Sequence, residues 1–293
     1  MSELRSLGFV GLGNMGMPMV RRLLEAGYEV AGFDVAEAAR AALADLGGRA
    51  AGTLAEVVEG VDALILMLPD SSIVSSVMAD PGLQAGLRRG LFVIDMGSSE
   101  PVRTRSLAAD LDALGVELVD APVSGGVGGA EAGTLTIMVG GAPAAVARVT
   151  PVLEHLGTVR HAGPVGSGHA IKALNNLISA THLWITSEAM VAGQRFGLQP
   201  EVMLEIINGS SGRSGSSEAK WPKFILPGTY DSGFGLRLML KDMRTATALA
   251  EQLGAPIDLG DAAVSRWAEA ADGLEPTADH TEVARWLAEA KEA

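Results

Sequence analysis

Six short apolar runs, separated by helix-like segments, constrain the fold of this chain more than any other feature. They are Leu7–Gly11, Glu29–Phe33, Ala63–Leu68, Leu91–Asp95, Glu117–Val119 and Leu135–Val139. They are apolar throughout rather than alternating with polar residues, as strands covered on both faces must be. Amphipathic stretches such as Met17–Ala26 and Val102–Leu114 lie between most of them. This alternation predicts βαβ units around a mainly parallel sheet.

The pattern changes after Gly163. The stretch Gly163–Gly168 leads into an apolar segment from about His169 to Phe196, with no proline and no glycine before Gly193. That predicts one long helix, the stem of a second domain. From Pro200 onward the periodicity is helical, with no convincing strand. We therefore expect an N-terminal α/β domain over residues 1–163 and an all-α domain over residues 164–293. The segment Gly209–Gly235, rich in Gly, Ser and Pro, reads as a long loop.

Composition removes several classes of function. With 22 Lys+Arg against 35 Asp+Glu the formal charge is −13, which disfavours nucleic acid and anionic lipid as partners. A site for an acid must therefore be positive locally. The chain has no cysteine, so disulfides, thiolate catalysis and cysteine-ligated metals are absent. His155, His161, His169, His182 and His280 show no metal-ligand spacing, and no metal is expected. The start, Met1 to Arg5, lacks the pattern of a signal peptide. No run approaches the ~18 apolar residues of a membrane span. A cytoplasmic enzyme is the expectation.

A nucleotide signal follows the first strand. Gly11, Leu12, Gly13, Asn14, Met15 and Gly16 form a G-x-G-x-x-G turn that opens a helix. Gly11 permits the tight turn, Gly13 lets the backbone approach a pyrophosphate, and Gly16 lets helix and strand pack closely. The pyrophosphate would sit on the helix N-terminus. The next strand ends at Asp34, the place of the carboxylate that binds a ribose 2′-hydroxyl. Asp34 and nearby Glu37 favour NAD over NADP, although Arg40 is a cation acting the other way. The alternative for Asp34 is a helix cap. These features predict a Rossmann-type domain.

Two polar constellations stand apart from the apolar runs. Lys172, Asn175, Asn176 and Ser179 fall at i, i+3, i+4 and i+7, on one face of the expected long helix. Burial would lower the pKa of Lys172 and suit it to acid/base work; the other reading is a solvated helix edge. The second constellation is Asp120 to Gly126, just after a strand, where successive amides around Ser124–Gly126 can form an anion nest.

These motifs together resemble the β-hydroxyacid dehydrogenases, the family that includes 3-hydroxyisobutyrate dehydrogenase and tartronate semialdehyde reductase. The resemblance rests on FVGLGNMGMPM (Phe9–Met19), DAPVSGGVGGAEAGTLTIMVGG (Asp120–Gly141), GSGHAIKALNN (Gly166–Asn176) and KDM (Lys241–Met243). It implies an NAD-dependent oxidoreductase, with NADP possible, that interconverts a small anionic 3-hydroxy acid and its semialdehyde. It further implies that Lys172 is the catalytic acid/base, with Asn176 orienting the substrate. Ser124, Gly125 and Gly126 would hold the substrate carboxylate. Leu68, Pro69, Ser98, Phe234 and Lys241 would border the cofactor, joining Asp34 and the glycine turn. The loop through Ser210–Ser217 is most similar to the 3-hydroxyisobutyrate branch, but Gly215 stands where that branch commonly has tryptophan. Succinic and tartronate semialdehydes therefore stay open as substrates.

Other classes fit less well. A short-chain dehydrogenase needs Tyr-x-x-x-Lys, and the residues four after Tyr28 and Tyr230 are Gly32 and Phe234. An imine reductase of the same plan lacks the catalytic lysine, and a non-catalytic dinucleotide-binding scaffold has no use for the Lys172–Asn176 pair. The apolar helices point to an oligomer, and the resemblance implies a homodimer or homotetramer.

Overall fold

The computed structural model describes residues 4–289. The chain divides into two compact units, a first through Lys172 and a second from Ala173, with the division falling inside one helix.

The first unit is an α/β domain. Strands β1 (Ser6–Val10), β2 (Glu29–Phe33), β3 (Arg49–Ala50), β4 (Ala63–Leu66), β5 (Phe92–Asp95) and β6 (Glu117–Asp120) pair in parallel in the order 3-2-1-4-5-6. The strand order reverses between β1 and β4, the switch point at which open α/β sheets bind ligands beyond the strand C-termini. Strand β8 (Leu135–Gly140) continues the sheet antiparallel to β6 and carries β7 (Val123–Ser124) and β9 (Gly157–Gly163). Helices α1 (Gly16–Glu25), α2 (Glu37–Asp45), α3 (Leu54–Val58), α4 (Ser71–Met78), α5 (Pro81–Gly86), α6 (Pro101–Asp112), α7 (Gly126–Ala132) and α8 (Pro143–Leu153) connect the strands.

The uniformly apolar strands follow from two cores. Along β4 and β5, Ala63, Ile65, Phe92 and Ile94 point into one apolar cluster, and Leu64, Leu66 and Val93 into another. Successive side chains alternate faces, and both faces are covered. The expected runs therefore coincide with β1, β2, β4, β5, β6 and β8. Strands β3 and β7 are two residues each, and β9 (GTVRHAG) is largely exposed, so none carries an apolar run.

The second unit is helical. Helix α9 (Ser167–Phe196) enters it and is followed by α10 (Pro200–Asn208), α11 (Leu236–Gln252), α12 (Asp258–Gly273) and α13 (Val283–Glu289). Its core includes Leu236, Met243 and the wholly buried Trp267. The Trp184 ring lies 6.2 Å from Trp267 and 5.7 Å from Trp286. Among the described residues no strand follows β9, only an isolated bridge between Gly235 and Asp279.

The expectation of a long loop over Gly209–Gly235 is corrected. Ser216–Ile225 forms a π-helix, with Leu226 N donating to Trp221 O at 2.8 Å. Pro222 lies within it, has no N–H and crowds the preceding turn of an α-helix, so the winding widens. A wider winding breaks the 3.6-residue period that would have revealed a helix. The serines act at its start: Ser214 N donates to Ser217 Oγ at 2.9 Å, and Glu218 N to Ser214 O at 2.9 Å.

Two glycines fix the turn at the switch point. Gly11 has φ +99°, and a Cβ there would lie 2.2 Å from Met67 O. A Cβ on Gly16 would lie 1.9 Å from Gly11 O. Gly16→Ala should therefore cost about 3 kcal/mol or more of stability, on the scale of overpacked core sites, with a parallel loss of dinucleotide affinity. Denaturant unfolding checks this, and unchanged stability would contradict the packing described.

Candidate active site

In the first unit the turn Gly11–Gly16 lies at the C-terminal end of β1. Helix α1 begins with no side-chain cap and no acidic residue in its first turn; Met17 N donates to Gly13 O at 3.0 Å and Pro18 has no N–H, so of its leading amides that of Gly16 is the one left for an anion. A Cβ at Gly13 would meet nothing within 4 Å, which leaves the backbone open to close approach. Asn14 is exposed and Met15 half-buried. Asp34 closes the turn from β2: its Oδ2 accepts from Leu12 N at 2.8 Å and its Oδ1 from Ala36 N at 2.8 Å. Asp34 is thus not the side-chain cap of α2, whose N-cap is Ala36. Arg40 Nη1 donates to Asp34 O at 2.6 Å, and its guanidinium lies 5.9 Å from the centre of the Phe33 ring. A dinucleotide fits these residues.

The neighbouring strand ends converge on the same edge. A Cβ on Gly11 would lie 3.3 Å from the Leu68 side chain, and one on Gly97 would lie 2.4 Å from Leu68 O. Pro69 is exposed beside Leu68. After β5, Asp95 accepts from Gly97 N at 3.0 Å and Ser99 Oγ at 2.7 Å, which sets the bend holding half-buried Ser98.

Asp120, at the end of β6, is fully buried. Its Oδ1 accepts from Gly166 N at 2.7 Å and its Oδ2 from His169 N at 2.9 Å. These amides lie just before and within the first turn of α9, so a buried carboxylate caps that helix where the dipole favours negative charge. A Cβ on Gly168 would lie 2.8 Å from Asp120 Oδ2 and 2.2 Å from Met138 O, so only glycine fits there. His169 is also buried, with Nδ1 2.8 Å from Thr104 Oγ1 and Nε2 3.8 Å from Asp95 Oδ2. It is a packing residue of this anchor. Lys172 stands one turn further along α9 and is half-buried. Ser124 ends β7, and Gly125 (φ +136°) and Gly126 (φ +63°) turn the chain into α7, with open space beside Gly126.

In the second unit three residues form a chain. Asn176 Nδ2 donates to Asp242 Oδ2 at 2.6 Å, and Lys241 Nζ lies 3.0 Å from Asp242 Oδ1. Asn176 and Asp242 are buried. A carboxylate only accepts, so the amide nitrogen of Asn176 must face Asp242. Asn175 is exposed, 3.4 Å from Asn176. Phe234 packs edge-on against His280, and its carbonyl accepts from His280 N at 2.9 Å.

Lys220 was not expected. It lies on the π-helix, and its Nζ donates to Ser179 Oγ at 2.8 Å. Desolvation lowers its pKa to about 8, against the partly compensating charge of Asp279. His280 beside it is pushed down to about 4, chiefly by burial and then by the Lys220 charge. The signal available in the sequence was scarcity: the chain has only five lysines, and Lys172, Lys220 and Lys241 are three of them. Among the described residues no cluster of His, Asp and Glu is arranged for a metal, and no helix is long and apolar enough to cross a membrane. A groove of about 600 Å³ lined by residues including Arg105, Pro143 and His161 contains none of the candidate residues.

Comparison with known proteins places this geometry among relatives. Residues 6–166 match the NAD-binding domain of 6-phosphogluconate dehydrogenase. Residues 166–287 match the NAD-binding domain of NADP-dependent 3-hydroxyisobutyrate dehydrogenase. The chain is 41% identical to 2-(hydroxymethyl)glutarate dehydrogenase of Eubacterium barkeri, over 86% of this chain and 85% of that protein. It is 37% identical to the NAD-dependent L-serine dehydrogenase of Pseudomonas aeruginosa, over 89% and 91%. A structure of Mycobacterium tuberculosis 3-hydroxyisobutyrate dehydrogenase with L-serine superposes with a TM-score of 0.89, at 32% identity, over 97% of this chain and 99% of that one.

The lowered pKa of Lys220 has a consequence for stability. Below pH 8 both folded and unfolded chains carry the proton, and the folded state bears the desolvation cost. As pH rises from about 8 to the ordinary 10.5, the folded chain sheds the proton first and stability rises. Lys220→Met should thus stabilise the ligand-free protein by about 1–3 kcal/mol at pH 7, with the gain shrinking toward pH 10. Urea unfolding at both pH values checks this, and a loss of stability at pH 7 would contradict it.

Proposed function

Because the chain belongs to the 3-hydroxyisobutyrate dehydrogenase family of NAD(P)-dependent hydroxyacid dehydrogenases, we propose that it interconverts a small 3-hydroxy acid and its semialdehyde with NAD, using Lys172 as general acid/base. The observation that carries this reading is α9, which bears Lys172 one turn before Asn176. Its start is fixed by Asp120, and its Asn176 is fixed by Asp242.

The roles follow from chemistry. The substrate carboxylate docks on the amides of Ser124, Gly125 and Gly126, whose turned backbone and open side suit an anion. Lys172, as the neutral amine, takes the proton of the hydroxyl. The bound nicotinamide supplies the two-electron acceptor for the carbon. In the reverse direction the Lys172 ammonium returns the proton to the carbonyl oxygen. Asn176, with one N–H held by Asp242 and its Oδ1 accepting from Asn175 Nδ2 at 3.4 Å, has its second N–H to donate to that oxygen. Lys241 anchors Asp242, and with Leu68, Pro69, Ser98 and Phe234 borders the cofactor. The charge of Asp34 repels a 2′-phosphate, while Arg40 is engaged on backbone carbonyls; both favour NAD.

Relatives narrow the substrate class. The acids in their names, 3-hydroxyisobutyrate, serine and 2-(hydroxymethyl)glutarate, share the unit HOCH2–CH(R)–COO⁻. We assign that unit to the substrate here, with R open. An imine reductase or a non-catalytic scaffold is disfavoured by Lys172 and its anchored helix. Ile171, Ile178 and Ile185 recur every seventh residue along α9 and are each about half exposed. That apolar stripe supports self-association as a homodimer or homotetramer. A cytoplasmic setting belongs to the same reading.

Lys172→Ala should lower turnover by about 10²–10⁴-fold while NADH affinity stays within about threefold of wild type. Absorbance assays with 3-hydroxyisobutyrate, 3-hydroxypropionate, serine and glycerate, with NAD and NADP, provide the test. Wild-type turnover in the variant would sink the assignment of Lys172.

A further inference from the structure

Lys220 has no part in the acid/base chemistry described, yet it is a partly buried cation on a π-helical winding. Its ammonium has three donors, and the one hydrogen bond it makes goes to Ser179 Oγ at 2.8 Å. The carboxylate that acts on it, Asp279, is engaged elsewhere. Asp279 accepts from Ser232 Oγ, Gly233 N, Phe234 N and Thr281 N at 2.8–3.2 Å. His280 adds no charge beside it: Nδ1 lies 3.1 Å from Phe234 O, and Nε2 is buried without a hydrogen-bond partner. Among the described residues the ammonium therefore has two idle donors and no counter-ion in contact.

Its position is specific. Ser179 lies three residues beyond Asn176 on α9, about 4.5 Å along the axis, on the same helical face. The bond to Ser179 holds the ammonium one turn from the residue assigned to the reacting end of the substrate.

We propose that Lys220 is a specificity residue that receives a second carboxylate, carried on R of HOCH2–CH(R)–COO⁻, so that the protein favours hydroxy diacids over hydroxy monoacids. This rests on the hydroxy-acid reading above. A carboxylate arriving at Lys220 supplies the missing counter-ion and takes up its idle donors. A charge-assisted hydrogen bond of this kind corresponds to roughly 10–100-fold in affinity. The lowered pKa of Lys220 agrees with a cation desolvated in advance of its ligand. The competing account is that Lys220 merely ties the π-helix to α9 through Ser179.

The test uses the full chain as wild type, Lys220→Met and Lys220→Arg. The first readout does not depend on turnover: titration calorimetry of the NADH-saturated protein with glutarate and with butyrate. Wild type should bind glutarate at least 10-fold more tightly than butyrate, Lys220→Met should erase that difference, and Lys220→Arg should keep most of it. The second readout is kcat/KM for the acid with R = CH2CH2COO⁻ relative to that with R = CH3. Lys220→Met should lower this ratio about 30-fold, through KM rather than kcat. No glutarate preference in wild type, or an equal loss for both acids in Lys220→Met, overturns the proposal. If wild type turns over neither acid while glutarate binding still depends on Lys220, the hydroxy-acid reading fails and the anion site stands.

Discussion

The carboxylate of Asp120 is the constraint on which the reacting end of this structure depends. A fully buried charge is tolerable only when its oxygens are taken up, and here the takers are the amides of Gly166 and His169. The sheet thereby grips the first turn of a 30-residue helix. A general base must be placed to within a fraction of an ångström, and Lys172, the base proposed above, lies one turn from that grip. Substituting Gly168 would push a methyl group into the same carboxylate, so the glycine-rich run before α9 is part of the anchor.

Asp242 does comparable work in the second unit, and the two together show how this acidic chain spends its carboxylates. Asp34, Asp120, Asp242 and Asp279 each accept from amides or hydroxyls that shape a turn or fix a side chain. Lysines are few, and two of those described act beside these acceptors: Lys241 lies 3.0 Å from Asp242, and Lys220 feels the charge of Asp279. Net charge opposes an anionic substrate over the molecule as a whole, so the site proposed above must provide for it through individual cations.

Much of this was legible in the sequence. The apolar runs marked the strands because both faces of the sheet are buried, and the i, i+4 spacing marked Lys172 and Asn176 because α9 is regular. The glycine turn was legible because its positions have steric reasons. What stayed hidden depends on contacts distant in sequence or on irregular winding. Asp120 lies 46 residues from Gly166, and Asp242 lies 66 from Asn176, so neither role had a local signature. The π-helix masked Lys220, since Pro222 and the serines read as loop. Asp34 was read as a ribose ligand or a helix cap, and its bond to Leu12 N shows that it closes the glycine turn after β1.

The central claim is that Lys172 moves the proton. Chemical rescue tests it most directly: turnover of Lys172→Ala measured with added primary amines of graded basicity and similar size. If Lys172 is the acid/base, the amines restore activity, and the logarithm of the rescued rate follows amine pKa with a fractional Brønsted slope. Rescue that is absent, or that is indifferent to amine pKa, would contradict the assignment and leave Lys172 a substrate-binding cation.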